Sequence, residues 1–405
     1  RASGLLAAAG RRADLRADAA AAADLLGRAI DLMPADDPER GVVMVLLARR
    51  LPAVGEAARA VRLLVEAVAD ATQAGNERAR AWAELALVEM RRSTQSTSQS
   101  ESMHEAERLR EVLAGLGDDT GASLAELVAA WSLFTLGRAG EASARTRAAL
   151  DRPGSVGPWL REARIQIGAA AVFGPTPSDE AIRLIEDRMR LGYEPGADLG
   201  IGRMLTVQGA FDEAKECFAR AARGLEELGD RFLLTEADAG QGQIALLLGD
   251  TAAAVQHFRQ SYDRKIALGD RGYASTTAVG LATALLADGD LDEAWRYATI
   301  ARESSANDDI SSQAGGRGVQ ARVLSARGKH GEAEDVAREA KTMMEPTDYL
   351  LAHGEVLVHL AHVLGESGKK DEAVAAAREA VVLYEQKRAT IYVDQTKRLI
   401  EEWSR

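Results

Sequence analysis

The 405-residue chain has one cysteine, nine prolines and only 4% aromatic residues. Each scarcity excludes something. A single cysteine cannot close an intramolecular disulfide, so no covalent staple holds the fold, and a reducing, cytoplasmic setting is the expectation. Few aromatics leave little for strands, whereas abundant Ala, Leu, Glu and Arg favour helix. The prolines stand mostly at joints, as in Leu32-Met33-Pro34, Asp37-Pro38 and Gly174-Pro175-Thr176-Pro177. No apolar run approaches the roughly 18 residues of a spanning helix, and no secretory leader is visible. Positive charge is also short: 50 Lys+Arg face 62 Asp+Glu, a net charge of −12. Such a surface repels phosphate backbones, which argues against nucleic acid as a direct partner. The chain opens RASGLL without methionine, which reads as an excised or processed piece with any catalytic domain outside it.

What is present is a repeat. GAFDEA (209–214), GDTAAA (249–254), GDLDEA (289–294), GKHGEA (328–333) and GKKDEA (368–373) close on Ala214, Ala254, Ala294, Ala333 and Ala373, in steps of 40, 40, 39 and 40. A fixed period over five copies is the mark of a solenoid. Upstream copies close at Ala22, Ala57, Ala106, Ala142 and Ala181, giving ten units with less regular spacing. After each turn, apolar residues fall on one helical stripe, as with Ala214, Cys217, Phe218, Ala221, Ala222 and Leu225. Leu228-Gly229-Asp230 then stops that helix, since glycine accepts the left-handed conformation and Asp caps the next start. Each unit thus reads as two antiparallel helices that approach where side chains are small and bury their apolar face against the next unit. The expected fold is all-α: a right-handed α-solenoid of helix pairs with a period near 40.

This pattern resembles the tetratricopeptide repeat, in which an alanine after the turn is followed by an aromatic and a second small residue. Ala214/Phe218/Ala221 match fully, and Ala254/Phe258 match with Ser261 in third place. The later units Ala294/Ala298/Ala301, Ala333/Ala337/Ala340 and Ala373/Ala377/Ala380 keep the small residues without the aromatic. The usual repeat has 34 residues, so each helix here must be longer; HEAT-type repeats share this longer period.

The array is expected to divide into irregular repeats over 1–90, a polar loop or hinge over 91–102 (RRSTQSTSQSES), repeats over 103–200 and regular repeats over 201–405 with a capping helix. The serines of 91–102 suit a solvated linker or phosphorylation. GPTP at 174–177 and the glycines of 192–202 suggest a bend near 175–200.

No phosphate-loop pattern occurs, and Gly315-Gly316-Arg317-Gly318 follows no strand. His359, His362 and Glu366 share a helix face that could hold zinc, but without the H-E-x-x-H spacing or a cysteine the reading as ordinary surface histidines is much the stronger. Cys217 lies on the packing stripe, where a thiol is inert. Asp-Glu pairs such as Asp212-Glu213 open helices, where they complement the dipole. No catalytic residue, cofactor or metal is assigned, and the chain is not expected to be an enzyme.

The surface remains. The tetratricopeptide resemblance implies that the first helices line a concave groove. Carried over by phase, it places Trp131, Phe134, Gln166, Phe173, Arg203, Glu236, Gln243, Thr276, Thr283, Arg322, Glu355 and His362 there as candidate binding residues. Arginine and aromatics are frequent binding hot spots; Trp131 and Phe134 would equally fill gaps between units. Phrases such as RASGLLAAAGRRA, EAIRLIE, GDRGYASTTAVGLATALLADGDLDEA, MEPTDYLLAHGEVLVHLAHVL and VVLYEQK resemble the C-terminal repeat region of large actinobacterial signalling proteins. Those join a P-loop ATPase to a class III nucleotide cyclase or a LuxR-type helix-turn-helix. The resemblance implies a regulatory module that binds a protein, peptide or small effector; a stand-alone assembly scaffold is the alternative.

Overall fold

The protein is described by a computed structural model covering residues 2–16, 18–34, 37, 39–94, 96–151, 160–189 and 194–404. Among these residues there are twenty-one α-helices and no strand. The first five pairs are α1 Ala2–Leu15 with α2 Ala19–Asp31, α3 Arg40–Arg50 with α4 Ala57–Gln73, α5 Glu77–Ser93 with α6 Gln99–Gly115, α7 Asp119–Thr135 with α8 Ala139–Leu150, and α9 Leu160–Phe173 with α10 Ser178–Met189. The next five are α11 Pro195–Gln208 with α12 Phe211–Glu227, α13 Arg231–Leu248 with α14 Thr251–Ala267, α15 Arg271–Asp288 with α16 Leu291–Ser304, α17 Ile310–Ala326 with α18 His330–Met344, and α19 Leu350–Glu366 with α20 Lys370–Lys387. Helix α21, Thr390–Trp403, closes the array. The chain is an all-α helical-repeat solenoid.

The motif residues do what their chemistry dictates. Gly209, Gly249, Gly289, Gly328 and Gly368 end first helices with φ between +77° and +88°, a region other residues enter only under strain. Asp250 and Asp290 then cap α14 and α16 by accepting from the Ala253 and Glu293 amides. Ala214, Ala254, Ala294, Ala333 and Ala373 are completely buried at the contact between paired helices. The aromatic of the motif plugs sockets left by glycines: Phe218 lies on Gly202 and Gly240, and Phe258 on Gly242 and Gly280. Cys217 is 4% exposed, and burial pushes its thiol pKa up, so it is a packing residue with no reactive character.

First helices of successive units pack on one another, as α15 does on α17 and α17 on α19, and form the inner layer. Second helices pack on their own partner and on the first helix of the next unit, and turn a polar face outward. Inner helices are therefore flanked on both sides, and the outer ones are amphipathic.

The array coils tightly enough to touch itself. Asp308, before α17, accepts from the Gln99 and Ser100 amides that open α6, both at 2.9 Å. Asp348, before α19, does the same for Ala139 and Gly140 at the start of α8, at 2.8 and 2.6 Å. Lys387 places its ammonium on the Ala171, Gly174 and Thr176 carbonyls at 2.8, 2.8 and 2.7 Å, capping the end of α9. Leu268 and Arg231 lie against Gly55, and Gly229 against Ala20. The bonded pairs are 208 to 216 residues apart, about five units. One superhelical turn therefore takes five units. The second turn lays the joints entering its first helices on the joints leaving those of the first turn. The seam joins apolar contacts, such as Ala139 and Ala170 with Met344 and Tyr349, to specific polar ones in which carboxylates cover helix N-termini, where free N–H groups and the dipole favour them.

Two local expectations change. The polar 91–102 stretch is mostly helical: α5 runs to Ser93, and Ser98 starts α6 with a capping box to Glu101. Gln99 and Ser102 are buried because the second turn covers this joint; Gln95 lies outside the described residues. The glycines at 196, 200 and 202 do not loosen α11. Gly200 and Gly202 give room to Ile185 and Phe218. Residues 190–193, part of the expected bend, lie outside the described residues.

Candidate inner binding surface

Arg203, Gln243, Thr283, Arg322 and His362 follow one another at steps of 40, 40, 39 and 40, so they occupy one phase on α11, α13, α15, α17 and α19. Around this column the inner layer collects most of the polar and aromatic groups of the first helices.

One row runs across the units from α5 to α14. The Arg92 guanidinium stands over the Trp131 ring at 5.8 Å. Trp131 meets Phe134 edge-on at 5.4 Å, and Phe134 meets Phe173 at 5.7 Å. Arg203 stands over Phe173 at 5.5 Å and bonds Glu236 at 2.5 Å. Glu236 also binds the ammonium of Lys265 at 2.6 Å, which is only 1% exposed. Burial alone would raise the Glu236 carboxyl, but Lys265 and Arg203 outweigh it and hold the pKa at about 2. The second turn adds Tyr349, whose ring lies 5.5 Å from Phe134 and whose hydroxyl donates to the Phe134 carbonyl.

A second cluster joins α13, α19 and α21. Gln243 donates to the Tyr392 hydroxyl at 2.8 Å, and Tyr392 also bonds Glu355. Glu355 is exposed to solvent, but the protein crowded around it partly desolvates the carboxyl and raises it to about 7, against the Tyr392 hydrogen bond, which works the other way. At the N-terminal end the interior is bridged: Arg50 of α3 binds Asp14 at 2.8 Å and Glu162 of α9 at 2.7 Å, three units away on the facing wall. Arg49 holds Glu89 beside it with two bonds, at 2.7 and 3.1 Å.

The twelve residues placed by phase therefore divide. Trp131, Phe134, Phe173, Arg203 and Glu236 form one continuous row, and Gln243 and Glu355 share the second cluster. Thr283 returns its hydroxyl to the Val279 carbonyl, and the exposed Thr276 approaches Ser312 at 3.2 Å. Arg322 and His362 meet between α17 and α19. Gln166 is the exception: it is fully buried, with its amide on the Leu127 carbonyl and on Thr146, so it faces the core. Arg92, Lys265, Tyr349 and Tyr392 escaped the phase argument. Arg92 sits where the alanine spacing jumps, Lys265 reaches in from a second helix, and both tyrosines arrive from distant units.

Among the described residues no group of three His, Cys, Asp or Glu side chains could hold a metal ion, the His359–His362–Glu366 set included. No helix among them is long and apolar enough to cross a membrane.

The tetratricopeptide repeat family matches residues 354–387, one unit of the array. No curated protein matches the chain. Among solved structures the chain is similar to a Rap protein complexed with competence and sporulation factor, at 13% identity, over 86% of this chain and 99% of that one, with a TM-score of 0.62. It is also similar to the APC/C hetero-tetramer Cut9–Hcn1, at 13% identity, over 95% and 87% of the two chains, with a TM-score of 0.53. These likenesses establish a tetratricopeptide-like helical-repeat fold.

Proposed function

We propose that the chain is a non-catalytic binding module whose inner surface takes an extended segment of a protein partner. We further propose that it is the regulatory region of a larger signalling ATPase, cyclase or LuxR-type regulator. The observation that carries the first part is the unbroken row Trp131, Phe134, Phe173, Arg203 and Glu236. Rigid rings and a guanidinium held on first helices are hot-spot chemistry, already ordered and so cheap to bind. The Arg50–Glu162 bridge spans the interior at one end, which suits an extended segment better than a folded domain. The regulatory part rests on the sequence phrases shared with signalling proteins. It predicts a phosphate-loop motif in the reading frame upstream of Arg1.

The test is a pair of variants. Trp131→Ala and Arg203→Gln are expected to weaken partner binding by about 30-fold each, the scale of a hot-spot residue. Far-UV circular dichroism should not change, because Lys265 still neutralises Glu236 when Arg203 is lost. Unchanged affinity in both variants would remove the inner row as the binding surface.

A further inference from the structure

Among the arginines of the inner face, Arg322 has no carboxylate at hydrogen-bond distance. Arg50 and Arg203 each hold a carboxylate at 2.5–2.8 Å. Arg322 makes no hydrogen bond to the described residues, and its nearest carboxylate oxygen, Glu366 Oε1, is 3.9 Å away. The other oxygen of Glu366 is taken by the Ser325 hydroxyl at 2.5 Å. The Arg322 side chain is only 21% exposed. Burial without a close counter-charge is unfavourable, and it lowers the Arg322 pKa, with Glu366 opposing.

Two imidazoles stand beside it. Gly318 has no side chain, and a Cβ there would lie 2.6 Å from the His359 ring, so this glycine lets His359 of α19 settle on α17. His359 Nδ1 is buried and has no partner. His362 is one turn further along α19, at the same phase as Arg322. Burial and then the Arg322 charge hold His359 at about 3; burial, Arg322 and then His359 do the same for His362. Glu366 of α19 is the one acidic group whose charge reaches Arg322; His330, at the start of α18, stands behind Ser325. The site is thus one cation with unused donors and two imidazoles kept neutral, with a single distant carboxylate.

We propose that Arg322, His359 and His362 form an oxyanion-binding subsite of the inner surface, which takes a carboxylate or phosphate group of the bound segment. It rests on the inner-surface reading and names the partner's chemistry: a segment bearing an acidic or phosphorylated residue. The guanidinium offers a planar fork of donors to two oxygens. The bound charge would neutralise Arg322 and favour the imidazolium forms, so protons are taken up on binding. Affinity for the anion therefore rises as pH falls through the window between the bound and free imidazole midpoints, which opens below about pH 5.

The experiment needs no identified partner. Histidine Cε1–Hε1 resonances of the full chain, assigned with His359→Gln and His362→Gln, are followed over pH in chloride. Sodium trifluoroacetate, a carboxylate that stays ionised over this range, or inorganic phosphate then replaces the chloride at constant ionic strength. The expected result is that both midpoints rise by about one pH unit or more with at least one of the oxyanions. Arg322→Gln should abolish the rise and Arg322→Lys should keep part of it. The larger response tells carboxylate from phosphate. Midpoints that move with neither anion, or that move equally in Arg322→Gln, would overturn the subsite. That result would leave the inner-surface reading standing, because partner binding by the Trp131 and Arg203 variants is measured separately.

Discussion

Gly280 illustrates how much of this fold is settled atom by atom. Alanine is the better helix former by about 1 kcal/mol. However, a Cβ at Gly280 would come within 2.6 Å of the Phe258 ring, which sits at the buried contact between α14 and its neighbours. Overpacking of that kind costs about 1–3 kcal/mol, and the ring has no free space to enter. Gly280→Ala should therefore destabilise on balance, read as a lower midpoint in urea. Glu355 makes a separate, pH-dependent contribution. Its pKa is about 7 in the folded chain against 4.5 as a free side chain, so between those values the folded state holds more proton than the unfolded state. Stability from this group therefore falls as pH rises from 4.5 to 7 and is level above that. Glu355→Gln should flatten that part of the stability–pH curve and raise stability at pH 8; an unchanged slope would mean that the carboxyl is ordinary.

At the scale of the helix pair, one unit can be improved by copying another. Asp250 and Asp290 cap their second helices, whereas Ala210 occupies the same place before α12 and makes no side-chain cap. The first turn of α16 carries Asp292 and Glu293 and still accepts an Asp cap, so the acidic Asp212-Glu213 of α12 is no obstacle. Ala210→Asp should stabilise by about 1 kcal/mol, and Asp290→Ala should cost about as much, both from thermal or urea unfolding. This level was legible from sequence because it is local. The turn glycine and the buried alanine recur every 40 residues or so, with a capping Asp in two of the units, so their meaning shows before any contact is known. The inner row was legible for the same reason: Trp131, Phe134, Phe173 and Arg203 follow from helical phase. Gln166 shares that phase and yet is buried, because Thr146 and the Leu127 carbonyl draw its amide inward. Phase gives direction along a helix but not the hydrogen-bond partners waiting there.

At the scale of the whole molecule, the closed seam was not legible. Asp308 and Asp348 share one repeat position, which is Leu268 and Arg388 in the flanking units, and with Lys387 they act on partners 208 to 216 residues away. No short-range pattern reports such a pairing. The same distance hid the fate of the polar 91–102 stretch, which reads as a hinge alone and becomes a covered joint once α6 receives Asp308. Replacing Asp308 and Asp348 together by Ala leaves four helix-start amides without their carboxylates. The expected outcome is a looser superhelix: a larger radius of gyration by small-angle scattering, with helical content unchanged. An unchanged radius would mean that packing elsewhere in the seam holds the turns together.

The central claim is that the inner face, and not the outer one, holds the partner. A photo-crosslinking amino acid at Thr283, on the inner column, can be compared with one at Val382, 52% exposed on outer helix α20. Both chains would be irradiated in the native host, with adducts mapped by mass spectrometry. The account predicts a discrete protein or peptide adduct from position 283 that disappears with Trp131→Ala and Arg203→Gln, and none from position 382. An adduct from 382 alone, or one from 283 that survives both substitutions, would contradict it.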